Sequence, residues 1–318
     1  MKASSDKREC QKCNKFRKLP LHLHELYMFC ELLENTHSVY KYSNKSFKKE
    51  TTASTVNIAK WLRLASQIES IEMNPFRYEE SHLWCGPVVE KLDSDADHHS
   101  AIITPLTQFI YIANALEETY RFTSPLYKTH YESLKIETPK LEQKRNYSVQ
   151  ASWLLDEVFS KIDIPTHYNH KVDNFLSLAK KYQSSFNVTF DVELKNNGNL
   201  SYGLSLVRNI RNHIAHAIFP IIENPEYTFE FSNPQTKCLI INLLGYASRV
   251  AAMNIQILLN ISNDGFKSAG YSYLFDNPYC DKIESLFSMN YLNKLHIEQE
   301  FGLNESAQWQ LHSKLDEN

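Results

Sequence analysis

Glycine is scarce in this chain, with only 7 among 318 residues. Folds rich in β-structure and loops that cradle phosphate rely on glycine for positive φ angles, so its scarcity favours helices joined by short polar turns. Hydrophobic residues make up 42% and charged residues 22%, which is ordinary for a globular protein with a sizeable core. The net charge of -3 excludes a generally basic surface, so a nucleic-acid partner would have to bind a local patch or a subunit interface.

Cysteine is too sparse for a disulfide-stapled fold, since six residues are spread over the whole chain. The N-terminus is charged and lacks the apolar segment of a secretory signal. No apolar run approaches the ~18 residues needed to span a bilayer. These features predict a cytoplasmic protein with reduced thiols and no membrane partner.

Two of the cysteines form a Cys10-x2-Cys13 pair that is followed by His22 and His24. Thiolates and imidazoles suit tetrahedral Zn²⁺, but the two histidines are spaced too tightly for the usual zinc finger. Thiols in a flexible tail are the alternative, because residues 1–19 hold seven Lys/Arg against two acidic residues. We predict a basic tail at 1–20 and no metal or cofactor at the main site, and the sequence leaves zinc at the cysteine pair open.

The rest of the chain is predicted to be mainly α, as a helical bundle with helical N- and C-terminal extensions. Helical periodicity is found at residues 21–35, 55–70, 148–161, 170–182 and 237–261. Breakers within 71–100, including the acidic run 93–97, place a soft domain boundary there. The expected units are an N-terminal sensing or docking region at 21–100, a central domain at 101–262 and a helical extension at 263–318.

The central domain is expected to open with a helix from Thr104 to about Phe122. Thr104 is typical of an N-cap, and Pro105 of a first helical residue. Two later segments, 186–194 and 227–231, alternate apolar and polar residues as strands do. We expect these two strands to form a small two-stranded antiparallel ribbon that brackets the helix between them.

That helix carries Arg208–His216, which reads RNIRNHIAH. At roughly 100° per residue, one face is apolar and consists of Val207, Ile210, Ile214 and Ile218. The other side is a polar arc that consists of Arg208, Arg211, Asn212 and His216 around the small Ala215. The sequence therefore predicts an apolar face in the core and an exposed arc with two guanidiniums, an amide and an imidazole.

These residue types suit the cleavage of RNA, which supplies its own nucleophile in the 2′-hydroxyl group. Histidine is the side chain best able to move protons near neutral pH. Arginine offers planar donors to phosphate oxygens and cannot lose its charge. No HExxH motif, P-loop or convincing carboxylate cluster is present, so the residues favour a metal-independent reaction.

The arc carries a single clear histidine, whereas acid–base cleavage needs two proton-transfer groups. An isologous homodimer interface would bring a second copy of the same patch to the site. Ala215 is small enough for two such helices to approach closely. The homodimer is therefore part of the predicted mechanism.

The string RNHIAH resembles the R-x4-6-H motif of the HEPN superfamily, including its frequent Asn after Arg and Ala before His. The resemblance covers about residues 104–262 and implies a helical bundle with a composite ribonuclease site at a homodimer. It implies His216 as general acid or base, Arg211 as phosphate clamp and Asn212 as positioner. The helical projection adds Arg208 as a supporting residue, because it lies on one ridge with Asn212 and His216. HEPN proteins often carry an acidic residue on an earlier helix near the motif, and the string LEETYRF, with Glu117 and Glu118, is the expected counterpart. Of the two, we select Glu118.

The family includes toxins and antiviral abortive-infection effectors that cut tRNA, mRNA or other RNA, which implies RNA as the substrate and a neutralising or sensing partner. The motif has two registers here, because Arg208 and His213 are also separated by four residues. We favour Arg211 and His216, since His213 points away from the arc. Some HEPN-like domains are non-catalytic, so a dimerisation or RNA-binding module is the alternative prediction.

Overall fold

The structure is a computed structural model that describes residues 10, 12–43, 46–80, 83, 85–138, 140–159, 164–196, 198–224, 226, 234–262 and 292–298. In chain order its elements are α1 (Leu19–Leu33), β1 (Thr36–Ser43), β2 (Ser46–Ser54), α2 (Thr55–Ser66), α3 (Gly86–Phe122), α4 (Ser124–Glu137), α5 (Tyr147–Trp153), α6 (Tyr168–Phe186), α7 (Tyr202–Ala215) and α8 (Pro234–Ile261). The prediction of a mainly α protein with a small two-stranded β-ribbon is confirmed.

Most of the helices occur where helical periodicity predicts them, as α1, α2, α6 and α8. The helix expected at 148–161 is shorter, since α5 passes into a π-helical turn at Leu154–Val158. Residues 160–163 lie outside the described part of the chain, and so does most of the helical extension expected at 263–318.

Helix α8 is the central element of the core and packs against α3, α6, α7 and α1. Most of its residues from Ile240 to Leu259 are buried, because the helix is apolar around most of its circumference. By length and composition alone, Gln235–Ile261 is also apolar enough to cross a membrane, which the sequence analysis does not expect. However, 61% of its most apolar window is buried inside the protein, as in a core helix.

The two-stranded sheet lies in a different place from the predicted ribbon. Strands β1 and β2 pair antiparallel from Thr36↔Ser54 to Ser43↔Ser46 and lie before α2, not around α7. Their β-branched and aromatic residues favour strands despite the polar composition, and Val39 and Ala53 are buried. The second predicted strand, 227–231, lies outside the described residues.

The first predicted strand, 186–194, is wrong, because α6 ends at Phe186 and the following residues are irregular. Two backbone groups there are hydrogen-bonded to side chains of α7. Asn209 Oδ1 accepts from the N–H of Asp191 at 2.8 Å, and His213 Nε2 donates to the carbonyl of Thr189 at 2.9 Å. The alternation does indicate which side chains pack on the core, namely Val188, Phe190, Val192 and Leu194.

Helix α3 begins at Gly86 rather than at Thr104 and runs for 37 residues. It contains Pro105 and includes the acidic run 93–97, which the sequence analysis treats as a breaker. Thr104 is therefore not an N-cap; its Oγ1 donates to the carbonyl of Ser100 at 2.8 Å. Packing of α3 against α2 and α8 compensates for the hydrogen bond that proline cannot donate, and the helix crosses the expected domain boundary without a break.

Residues 12–18 are docked on the protein and do not form the expected solvated tail. Phe16 forms an isolated antiparallel bridge with Ile297, and Cys13–Lys15 is a short 3-10 turn. Arg17 is 3% exposed, and its Nε donates to the carbonyl of Ile297 at 3.0 Å. The basic residues of this segment therefore belong in part to the folded structure.

Candidate functional site

Helix α7 is held at its N-terminal end by contacts with α6 and with the π-helical turn after α5. The carboxylate of Asp156 accepts from the backbone N–H of Ser201 at 2.9 Å and also from its hydroxyl group. Gly203 brings α7 close to α6, because a Cβ there would lie 2.5 Å from the hydroxyl oxygen of Tyr168 and 2.8 Å from Val172 Cγ2. These contacts fix the position of the motif that follows on the same helix.

The C-terminal end of α7 is closed by a Schellman motif that has alanine where glycine is usual. The N–H of Ile218 donates to the carbonyl of His213 at 2.8 Å, and the N–H of Ala217 donates to that of Ile214 at 3.2 Å. Ala217 has φ 55, in the left-handed region. The helix therefore ends at Ala215, and the expected core position of Ile218 is wrong, since Ile218 is 48% exposed.

The two histidines of the motif have opposite environments. His213 is 4% exposed; its Nε2 donates to the carbonyl of Thr189, so its Nδ1 accepts from the hydroxyl of Tyr182 at 3.3 Å. His216 is the C-cap residue, is exposed, and still bonds through its backbone N–H to the carbonyl of Asn212 at 2.9 Å. His213 thus points away from the polar arc, as predicted.

The predicted polar arc lies on the solvent side of α7. Arg211 and His216 are exposed, whereas Arg208 and Asn212 are half-buried. Nη1 of Arg211 donates to Oδ1 of Asn212 at 3.4 Å, so these two side chains support one another. Ala215 is exposed between them and leaves room above this part of the helix.

The acidic side chain beside the motif is Glu117, one residue before the expected Glu118. Arg211 Nη2 lies 3.9 Å from Oε1 of Glu117. Glu118 is instead turned towards Arg121, at 3.7 Å, and accepts from Nδ2 of Asn57 at 3.4 Å. Both glutamates lie in LEETYRF, but the sequence alone does not determine how α3 is rotated relative to α7.

Tyr120 of α3 lies near the site and is not among the site residues predicted from the sequence. Burial raises the pKa of its hydroxyl well above the usual value, and the charge of Glu117 acts in the same direction. The positive charges of Arg208 and Arg211 act on this pKa in the opposite direction. Its position three residues after Glu117 is the sequence signal that was available.

The arc brings together a fixed positive charge and a group that can transfer protons. Two guanidiniums can bind two oxygens of one phosphate, and an exposed imidazole can accept or donate a proton beside them. One chain supplies only His216 on this face among the described residues. The arrangement can therefore bind a phosphodiester and perform one of the two proton transfers that its cleavage needs.

A second group of polar side chains lies away from α7. Cys10, Cys13 and His170 are the described residues whose ligand atoms come together closely enough to hold a metal ion. His22, which the sequence places after the cysteine pair, is instead buried, and its Nε2 donates to Oε1 of Gln256 at 3.0 Å.

No family model matches the chain, and no curated protein or solved structure matches it at a significant level.

Proposed function

We propose that this chain is a metal-independent endoribonuclease whose active site is the polar arc of α7. The proposal is carried by one observation: Arg208, Arg211, Asn212 and His216 share a face, while His213 is held in the core because its Nε2 donates to Thr189 and its Nδ1 accepts from Tyr182. The resemblance of RNHIAH to the HEPN motif supports the same assignment.

The proposed reaction begins with attack of the 2′-hydroxyl of RNA on the adjacent phosphorus. A histidine accepts the hydroxyl proton, and a second proton-transfer group protonates the leaving 5′-oxygen. Arg211 and Arg208 offset the negative charge that develops on the phosphate oxygens, and one well-placed donor of this kind contributes roughly 3–4 kcal/mol. The products are a 2′,3′-cyclic phosphate and a 5′-hydroxyl.

The second proton-transfer group is His216 of a second copy in a two-fold homodimer. The surface after the motif favours such an interface, since Ile218 is 48% and Ile221 is 91% exposed. Large apolar side chains clustered beside a polar site are typical of interaction surfaces.

The remaining parts of the proposal are a cytoplasmic toxin or antiviral effector, tRNA or mRNA as substrate, and a sensing or neutralising partner.

The test compares cleavage of RNA by wild type, Arg211→Ala and His216→Ala in excess chelator. Wild type should cut RNA and leave 2′,3′-cyclic phosphate ends, and each variant should lose at least about 100-fold in rate. Matched controls are Arg63→Ala on α2 and His130→Ala on α4, which should retain activity. Sequencing of RNA 5′ ends from cells expressing wild type or His216→Ala identifies the target.

Cleavage that survives in both arc variants would refute this assignment of the site. Absence of cleavage by a correctly assembled wild type, with RNA binding or dimerisation retained in both variants, would support the non-catalytic module instead. Overexpression gives a further comparison, because a ribonuclease should slow growth and His216→Ala should relieve that effect.

A further inference from the structure

Two cysteines from the N-terminal segment and one histidine from α6 converge on a common point. Cys10 Sγ lies 3.4 Å and Cys13 Sγ 3.5 Å from Nε2 of His170. The three atoms all lie within 4.8 Å of one another. His170 is in the first turn of α6. Cys13 begins the short 3-10 turn, and Cys10 precedes it by three residues.

Hydrogen bonding alone accounts poorly for this convergence. A ring nitrogen has either one hydrogen or one lone pair in the ring plane. Nε2 of His170 nevertheless faces both sulfurs and also lies 3.2 Å from Nδ2 of Asn174. A cation at the centre of the group would satisfy the two sulfurs and the nitrogen at once.

The distances also match those of a zinc site. With Zn–S of about 2.3 Å, Zn–N of about 2.0–2.1 Å and tetrahedral angles, a sulfur and a nitrogen ligand lie about 3.5 Å apart. The two S···N separations of 3.4 and 3.5 Å agree with this value. Thiolate and imidazole are the ligands that zinc prefers, whereas Mg²⁺ and Ca²⁺ prefer oxygen.

A hydrogen-bond donor lies beside one of the two sulfurs. Lys171 Nζ donates to Cys13 Sγ at 3.6 Å. Donors beside metal-bound sulfurs orient and stabilise them.

We propose that Cys10, Cys13 and His170 bind one Zn²⁺ per chain through Sγ, Sγ and Nε2. Because Cys10 is exposed, water has access to the fourth tetrahedral position. Binding converts two thiols to thiolates and releases two protons, so the zinc with its two thiolates is neutral. The proposal does not depend on the ribonuclease assignment.

The zinc site would fasten the N-terminal segment to one end of α6. The other end of α6 carries Tyr182, whose hydroxyl contacts His213 beneath the polar arc. Metal binding at a site that joins two segments contributes directly to the stability of their association. Removal of zinc should therefore release residues 10–16 and leave the arc itself in place.

The experiment uses full-length protein without a polyhistidine tag, reduced with a phosphine and stripped with chelator. Titration with Co²⁺ should give thiolate-to-cobalt charge-transfer bands and intense tetrahedral d–d bands that saturate at one ion per chain. Zn²⁺ should then displace the cobalt. Hydrogen exchange of residues 10–16 should slow on addition of Zn²⁺.

Two variants remove ligands from different segments. Cys10→Ser and His170→Ala should each weaken metal binding by at least about 100-fold, since even outer partners of metal ligands contribute about 10–100-fold. The exposed Cys238 and the half-buried His130 provide the matched controls Cys238→Ser and His130→Ala. Far-UV circular dichroism checks that every variant is folded.

Three results would overturn the proposal. The first is reduced wild type that binds less than about a tenth of an ion per chain at micromolar Zn²⁺. The second is a cobalt spectrum that His170→Ala leaves unchanged. The third is a Cys10–Cys13 disulfide in protein purified anaerobically from the cytoplasm, which would assign the pair to redox chemistry.

Discussion

His213 and His216 are three residues apart at the C-terminal end of α7, yet only His216 is exposed to a substrate. His213 is buried and its ring bonds to Thr189 and Tyr182, so its role is structural. His216 is exposed at the helix end and is free to meet a substrate. Three residues turn a side chain by roughly 300°, which leaves the two histidines only about 60° apart around the axis, so the contacts with Thr189 and Tyr182 bury His213 rather than the rotation alone.

At this scale we predict that Glu117 positions Arg211, given the proposed function. Glu117→Gln removes the charge that lies 3.9 Å from Arg211 Nη2, so the guanidinium should sample more orientations. We expect kcat to fall about tenfold with little change in KM, because a misdirected donor weakens transition-state stabilisation. Single-turnover RNA cleavage measures the effect.

Glu118→Gln is the matched control, since Glu118 faces Arg121 and Asn57 instead. Its rate should stay within about twofold of wild type. If Glu118→Gln were the more damaging variant, the acidic partner would be the residue expected from the family resemblance, and the geometry of the single chain would not be that of the active dimer.

The helices and their connections determine where the arc lies. α7 approaches α6 at Gly203 and closes with a Schellman motif at Ala217, and neither feature belongs to the polar face. Helical periodicity predicted α7 itself. It did not predict the end of the helix at Ala215, because a left-handed alanine has no local sequence signature of the kind that glycine provides.

We predict that Gly203→Ala destabilises the protein by about 1–3 kcal/mol through overpacking. The new methyl group would lie 2.5 Å from the Tyr168 hydroxyl oxygen, which bonds to Asn254 Oδ1 at 3.1 Å and cannot move freely. Chemical denaturation measures the change in the free energy of unfolding.

Gly245 provides the opposite case within α8. An added Cβ there meets nothing within 4 Å, so Gly245→Ala should stabilise the helix by up to about 1 kcal/mol. Equal changes in the free energy of unfolding for Gly203→Ala and Gly245→Ala would contradict the close approach of α6 and α7.

At the scale of the whole molecule, a buried polar network joins distant parts of the chain. Gln256 on α8 accepts from His22 of α1 and donates to Nδ1 of His296 at 3.2 Å. His296 Nε2 donates to the carbonyl of Thr166 at 2.7 Å. Each histidine is therefore held in its neutral form, and the N-terminal region, α8 and residues 292–298 are connected through one glutamine.

Acid should destabilise the protein through these histidines. Burial lowers the pKa of His296 from 6.5 to about 3 and holds the pKa of His22 well below its usual value. Below about pH 6.5 the unfolded chain binds protons that the folded chain cannot, so stability is lost as the pH falls towards about 3. Each such histidine contributes a slope of about 1.4 kcal/mol per pH unit.

The contribution of His296 to the pH dependence of the free energy of unfolding can be isolated by urea unfolding between pH 6 and 4. Chelator in the buffer removes any effect of bound metal. His296→Gln keeps a donor for Thr166 but does not titrate in this range. The free energy of unfolding of this variant should therefore fall less steeply with decreasing pH, by about 1.4 kcal/mol per pH unit. His130→Gln, at a half-buried site on α4, is the control for a histidine outside the buried network. An unaltered slope in His296→Gln would contradict a neutral, buried His296.

The proposed homodimer gives the second prediction at this scale. Ile221→Asp should weaken dimerisation and RNA cleavage together, by about tenfold or more, because a charge would replace a 91% exposed apolar side chain beside the motif. Ile136→Asp is the matched control, since Ile136 is 83% exposed on α4, which packs against β1 and α5. Sedimentation at several concentrations measures the oligomeric state. A monomeric wild type that cleaves RNA at full rate would exclude the composite site.

The sequence by itself determined the mainly helical class, because glycine is scarce. It also determined most of the helices and the polar face of RNIRNHIAH, because these depend on periodicity within about four turns of one helix. Alternation also indicated which side chains of 188–194 pack on the core. Contacts between residues distant in sequence were decided only by the tertiary structure. These include the pairing of β1 with β2, the choice of Glu117 over Glu118 beside Arg211, and the meeting of Cys10 and Cys13 with His170. Local patterns define the face a side chain occupies, whereas the packing of helices on α8 decides what lies opposite that face.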